Sequence, residues 1–462
     1  MGSCIGNSGL ELCGANNANN QLIFNGSNGN LSNNNRINSN QVRVALDLYS
    51  KEDDPSAVSA ADWFNYYRIA RRHKKNKDSH LKFRIHCFDQ LDCLRQMVEN
   101  FEYVPERSRV FAVTYPKPRE IIAADFADRI VQTYLVQRIL PSLEEYLSPY
   151  SYSCRKWKGG LRAAQHLHEE IFKATNGYTT DAWIYKMDFK GFFMSVDTEL
   201  WTKRLCEWID EHVRTSDVER LKYLARVIYQ SLPQCNCDIS GDPLTLNCVP
   251  EHKKQRGKAT FFGIPIGNVT SQTLILFATT PFLDYVGSIV SGFSHYTDDN
   301  CGVVTDRDGF LAKRALIADF AEKDSHFHIH PDKFYFQHHS KGVEFLGYRL
   351  RYGRMLPSKR LMHNFSWKIT VAVNRAANQR WMIRNKEHMM SVINSYCGLL
   401  KHTASYNFRK RELSRLQASE WSMVFDFDET NWLKVGIKPH YNINNYYKRL
   451  ARKRKKSTFN LN

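Results

Sequence analysis

The sequence predicts an α+β chain built on an antiparallel sheet, with a helical C-terminal part. Three observations carry this reading. Phe293 to Val304 reads as strand, tight turn, strand, with two adjacent acids at its tip. Tyr185 to Phe193 reads as a strand that runs into a Gly-containing turn. Residues 60–100 carry apolar positions at helical spacing, 105–350 alternate between strands and helices, and the pattern beyond Arg351 is mostly helical and basic. With 462 residues and 42% hydrophobic content, the chain is long enough for two or three domains with a true core. The expected organisation is an Asn-rich extension over 1–45, a mixed body over 46–350 and a helical, basic part over 351–462.

The first 40 residues contain thirteen Asn and almost no charge. Such a composition buries too little apolar surface to offset its ordering entropy, so a flexible extension is expected. The chain is basic: 65 Lys and Arg against 47 Asp and Glu give a net charge of +18. The excess is more than solubility requires and points to a polyanionic partner. An acidic membrane surface would suit the charge equally. No run of 18 apolar residues and no signal-peptide pattern occurs, however, so a soluble, cytoplasmic protein with no membrane partner is expected. The start Met1-Gly2-Ser3-Cys4-Ile5-Gly6 has Gly where a myristoylation site needs Ser or Thr. Eleven cysteines, an odd and scattered set, read as reduced thiols. Basic clusters stand at Arg71-Arg72-His73-Lys74-Lys75, Lys448-Arg449 and Arg452-Lys453-Arg454-Lys455-Lys456.

The chemistry concentrates in three carboxylates. Asp298 and Asp299 sit side by side between apolar strands, where like charges repel unless a cation neutralises them. An isolated Asp-Asp pair is more often an ordinary acidic turn. A second acid in similar company, Asp188 near the end of the strand in Tyr185 to Phe193, favours a shared cation site. Three carboxylates can hold two hard ions through oxygen, and two Mg²⁺ ions ~4 Å apart could clamp an attacking 3′-oxygen and a leaving pyrophosphate in line.

On these residues the chain resembles reverse transcriptases over about residues 105–350. Tyr296-Thr297-Asp298-Asp299 is similar to their Y-x-D-D box, and Asp188 to their first metal-binding aspartate, with Phe189 beside it in the metal set. The resemblance implies a right-hand polymerase fold, with fingers and palm to residue 350 and a helical thumb after it. It also implies RNA-directed DNA synthesis from dNTPs on a template RNA, with the RNA/DNA duplex held as product. Phe193, five residues after Asp188, matches the steric gate against a ribose 2′-hydroxyl, and as a plain alternative it is core beside Phe189 and Phe192. Tyr115 to Val131 resembles the fingers motif, with Lys117 and Arg119 alternating outward on one strand to grip triphosphate oxygens. Ile266, Gly267 and Gln272 fall in the motif beside the nascent base pair, where Thr270 and Ser271 read as caps of the helix that follows. Lys333 resembles the lysine that approaches the triphosphate and protonates pyrophosphate. Phe345-Leu346-Gly347 resembles the primer grip.

Group II intron enzymes carry Q-G-x-x-x-S-P where this chain has Ile266-Gly267-Asn268-Val269-Thr270-Ser271-Gln272. That form resembles the enzymes of diversity-generating retroelements, as does the segment Asp242 to Cys248. The resemblance implies cDNA mutagenised at template adenines and a small basic accessory protein as partner. The Asn-rich stretch Phe24 to Leu46 is similar to an adenine-mutable repeat of such elements, its plain alternative being a disordered tail. Rival readings are a phage-defence or retron-type enzyme and a non-catalytic RNA-binding scaffold. Cys235, Cys237, Cys248 and His252 are irregularly spaced for zinc and read as ordinary thiols.

Overall fold

The computed structural model of the protein describes residues 58–441, apart from positions 73, 75, 76 and 116. The Asn-rich stretch, the basic runs 448–449 and 452–456, and His73 and Lys75 lie outside the described residues. The fold is α+β.

Helices Ala60–Ala70 and Asp78–Ile85 pack on the long helix Phe126–Tyr146, and Cys87–Glu99 packs on both of them and on helix Val218–Gln230. Between them β1 (Ser108–Val113) and β2 (Arg119–Ala123) form an antiparallel hairpin. The central strand β3 (Trp183–Phe189) follows, and β4 (Cys237–Ile239) later returns to pair parallel with β1. β5 (Gly292–Tyr296), β6 (Asp299–Val304) and β7 (Ile329–His338) complete a four-stranded antiparallel sheet with β3, in the order β5-β6-β3-β7.

Side chains alternate across a strand, so register decides what each face carries. Asp188, Lys186 and Ile184 of β3 lie opposite Asp299, Cys301 and Val303 of β6 on one face. Tyr185 and Met187 point to the other. There Tyr185 stacks on Phe310 of helix Arg307–Ser325 at 4.6 Å, and Phe310 lies 5.7 Å from Phe336 of β7. Helix Val269–Gly287 adds Phe282, 5.2 Å from Phe189. This helix is buried on most sides, which explains its unbroken apolar run. Among the described residues no helix is long and apolar enough to cross a membrane.

The acid-bearing face is covered only in part. Helix Gly160–Ala174 and a small sheet of β8 (Val343–Phe345), β9 (Tyr348–Arg351) and β10 (Arg354–Pro357) bury Ile184, Cys301 and Val303 beneath Leu167, Phe345 and Tyr348. The cover stops short of Asp188 and Asp299, and that end stays open. A separate core follows from helices Lys359–Arg375, Gln379–Leu400 and Tyr406–Gln417 around Trp421 and Phe365. The helical pattern read beyond Arg351 thus misses β10 and the short hairpin of β11 (Phe425–Phe427) with β12 (Val435–Ile437). Strands of three or four residues are too short to show a period.

Gly302 faces Tyr185 across the β3–β6 pair, and a Cβ there would lie 2.6 Å from the Tyr185 ring. Both neighbours are fully buried, so neither can give way. Gly302→Ala is expected to lower unfolding free energy by about 1–3 kcal/mol through overpacking, read as a lower midpoint in urea denaturation with an unchanged slope.

Candidate active site

The β5–β6 hairpin closes with two residues, Thr297 and Asp298, between the paired Tyr296 and Asp299. Thr297 has φ 60°, the sign a type II′ turn demands at its first central position. Glycine normally serves there, and a β-branched residue in that region carries strain. The turn presents Asp298 next to Asp299. Directly across β3, Asp188 is the register partner of Asp299, which brings their Cβ atoms within ~4.5–5.5 Å. The pairing of β3 with β7 shifts register between Met187 and Phe189, so the irregularity falls at Asp188 itself. Three acids from two strands and one turn therefore meet at the open end of the sheet.

Their electrostatics follow. Burial, then the charge of Asp188, raises the Asp298 carboxyl above the ordinary range; Arg119 and Lys117 pull against that rise. Burial and the Asp298 charge raise Asp299, opposed by Lys186 and Lys117. Lys333 of β7 sits with Nζ 2.6 Å from Asp188 Oδ2, an ammonium standing where the cluster calls for positive charge. An all-oxygen donor set, mutually repelling and half-buried, fits hard divalent cations through carboxylate oxygens. Phe189 offers only its backbone, because its ring is buried among Phe192, Phe282 and Phe327.

The other expected residues fall as follows. Arg119 opens β2, whereas Lys117 lies in the β1–β2 turn and not on a shared strand face; both are exposed and both act on Asp298. Phe193 is half-buried, its ring 5.6 Å from Phe192, and its carbonyl accepts from Ile264 N–H at 2.8 Å. That bond ties it to the 263–267 segment. The Ile266 carbonyl accepts from Ile122 N–H of β2 at 3.2 Å. Gly267 has φ 122°, and a Cβ there would meet Ile121 at 2.9 Å. Gln272 is exposed on the first turns of helix Val269–Gly287.

Thr270 and Ser271 are not caps: both are buried inside the helix, and the cap position is Asn268. Asn268 spends its amide elsewhere, accepting from Ala124 N–H at 3.1 Å and donating to the Ile122 carbonyl at 3.3 Å. Phe345 is fully buried core, so only Leu346 and Gly347, the two positive-φ residues of the β8–β9 turn, reach the surface. Cys235, Cys237, Cys248 and His252 are not gathered into a ligand set. All nine cysteines of the described residues are free thiols.

Sequence reading missed the support behind the hairpin. His295, fully buried, places Nδ1 2.8 Å from Asn300 Oδ1 on the face opposite the acids. Burial lowers its pKa to about 4, so it is neutral at physiological pH.

Residues 114–350, just over half of the chain, match the family described as reverse transcriptase (RNA-dependent DNA polymerase). Comparison with curated proteins returns no match. Among solved structures, telomerase from Candida albicans in complex with a TWJ fragment of telomeric RNA is similar at 11% identity and TM-score 0.36, over 69% of this chain and 60% of that one. Apo telomerase from Candida tropicalis, truncated from its C-terminal domain, is similar at 11% identity and TM-score 0.38, over 55% of each chain. The chain therefore spans less than two thirds of either.

Because Asp298 and Asp299 are raised in the folded state, their contribution to stability is full below the unfolded carboxylate pKa of ~3.9 and is lost as pH rises through the folded values. Asp299→Asn should therefore melt higher than the parent at pH 7 in the absence of divalent ions. The difference should vanish near pH 3, and Mg²⁺ should stabilise the parent more than the variant. Thermal melts across pH, with and without Mg²⁺, read all three.

Proposed function

The chain belongs to the reverse transcriptase family, and on that premise we propose that it is an RNA-directed DNA polymerase that extends a primer with dNTPs on a template RNA. The observation that carries this reading is the register pairing of Asp188 with Asp299 beside the Asp298 turn, at an open end of the sheet. Two Mg²⁺ ions held by Asp188, Asp298, Asp299 and the Phe189 carbonyl would supply Lewis-acid stabilisation of the attacking and leaving oxygens.

The protein's own groups do the rest. Lys117 and Arg119 bind the triphosphate oxygens, their charges already reaching the acid cluster. Lys333, paired with Asp188 beside the cluster, donates a proton to the departing pyrophosphate. Phe193, tied to the 263–267 segment, walls off the ribose 2′-position. Gly267 lets the nascent pair approach the backbone, and Gln272, exposed on the helix that follows, contacts the same pair. Leu346 and Gly347 hold the primer end. Residues 46–350 act as fingers and palm, and residues from 351 act as a basic thumb over the RNA/DNA duplex.

Within this family we assign the chain to the diversity-generating type, acting with a small basic accessory protein. The support is the apolar Ile266, which cannot hydrogen-bond the templating base, so a mispair loses less relative to a correct pair. Each kcal/mol of lost discrimination is worth about fivefold in error frequency.

Two tests follow. RNA-templated primer extension should show dNTP incorporation by the parent chain, and Phe193→Val should reduce discrimination against rNTPs by at least about tenfold; unchanged discrimination would reassign Phe193 to the core. Sequenced cDNA, made with any required accessory protein present, should carry substitutions opposite template adenines, and Ile266→Gln should lower them severalfold while extension continues. Errors spread evenly over the four template bases would remove the diversity-generating assignment.

A further inference from the structure

At the end of the sheet away from the acids, a second cluster of ligand-type side chains has no part in polymerisation. Asp181 lies just before β3, His338 closes β7, and His339 opens the short 3-10 turn after it. Trp183 and His338 are register partners, and the Ala182 carbonyl accepts from His339 N–H at 2.9 Å, so backbone pairing brings these chain segments together. One ring nitrogen from each histidine and one Asp181 carboxylate oxygen all lie within 4.8 Å of one another. Asp181 stands seven positions before Asp188, which puts the cluster roughly 20 Å along the strand from the acids.

We propose that Asp181, His338 and His339 form a binding site for a transition-metal dication of the zinc class. Two imidazoles and one carboxylate are a borderline-soft donor set that suits Zn²⁺ and discriminates against Mg²⁺, the reverse of the all-oxygen set at Asp188.

Two independent features point to a ligand. His339 is buried, and its Nδ1 has no hydrogen-bond partner, an arrangement that costs roughly 1–3 kcal/mol unless something occupies it. His338 is held on both sides: Nε2 lies 3.0 Å from Asp181 Oδ1, and Nδ1 lies 2.9 Å from the Ser340 hydroxyl and accepts a long 3.4 Å contact from the Ser340 N–H. In the tautomer that carries the proton on Nδ1, the Ser340 hydroxyl takes over as acceptor from the long N–H contact, and Nε2 is left with its lone pair for a metal. Bound there, the ion clasps the chain entering β3 to the end of β7, the two strands that carry Asp188 and Lys333.

The test uses the full chain after chelator treatment. Equilibrium dialysis against ZnCl₂, with metal quantified per chain, is paired with thermal melts in ZnCl₂ or MgCl₂. One tightly held Zn²⁺ per chain and a zinc-dependent rise in melting temperature are expected. Asp181→Ala, at an exposed position that leaves the core intact, and His338→Gln should each weaken zinc binding at least about tenfold and remove the rise. Asp188→Asn should keep both, which separates this site from the polymerase reading. Absence of zinc binding overturns the proposal. Binding unchanged in both variants does so equally, by placing the metal elsewhere, as on the cysteines near 235–248.

Discussion

The structure is organised around one electrostatic constraint: the antiparallel pairing of β3 with β6 sets Asp188 opposite Asp299, with Asp298 at the adjoining turn. Like charges in direct cross-strand register weaken a sheet. Here burial raises the cost further, and both carboxyls of the turn respond with elevated pKa values. The pairing must then be held by everything around it. On the reverse face, Tyr185, Phe310 and Phe336 stack beneath the same strands, and Gly302 makes room for the Tyr185 ring. On the acid face, helix Gly160–Ala174 and β8–β9 cover the sheet up to Cys301 and leave the acid end bare. Strain at Thr297 belongs to the same account, because a turn that sends Asp298 into the cluster needs positive φ at that position.

Much of this was legible in the sequence because it rests on short-range pattern. The alternation in Tyr185 to Phe189, the two-residue turn between Tyr296 and Asp299, and the apolar helix after Asn268 are each local signals, and each corresponds to an element of the fold. What failed depends on contacts far apart in the chain. Thr270 and Ser271 suit a helix start by residue type. The helix start is packed against β2, however, so it is Asn268 that faces the backbone of Ile122 and Ala124. Lys117 is two residues from Arg119, a strand-like spacing, but β2 begins only at Arg119 and the lysine belongs to the turn. Phe345 sits beside surface residues in sequence and under helix Gly160–Ala174 in space. The pair Asp181 and His338 is 157 residues apart, and no local pattern could join them.

The histidine behind the acids shows why polar groups are tolerated so close to them. His295 is buried at the position that pairs with Asn300, one residue from Asp299 and on the opposite face. An ionised imidazolium there would offset the carboxylate charge from behind and weaken the demand for cations at the open face. Burial removes that option by holding the ring neutral down to about pH 4. Its hydrogen bond to Asn300 then fixes the hairpin by geometry alone. The Tyr150 carbonyl accepts from His295 N–H, and the His295 carbonyl accepts from Tyr152 N–H, so the preceding loop grips the same strand. The fold thus steadies the turn with neutral groups and leaves the positive charge of Lys333, Lys117 and Arg119 on the acid side. Anchoring and chemistry are divided between the two faces of one sheet, and the strict alternation of side chains along β3 and β6 keeps them apart.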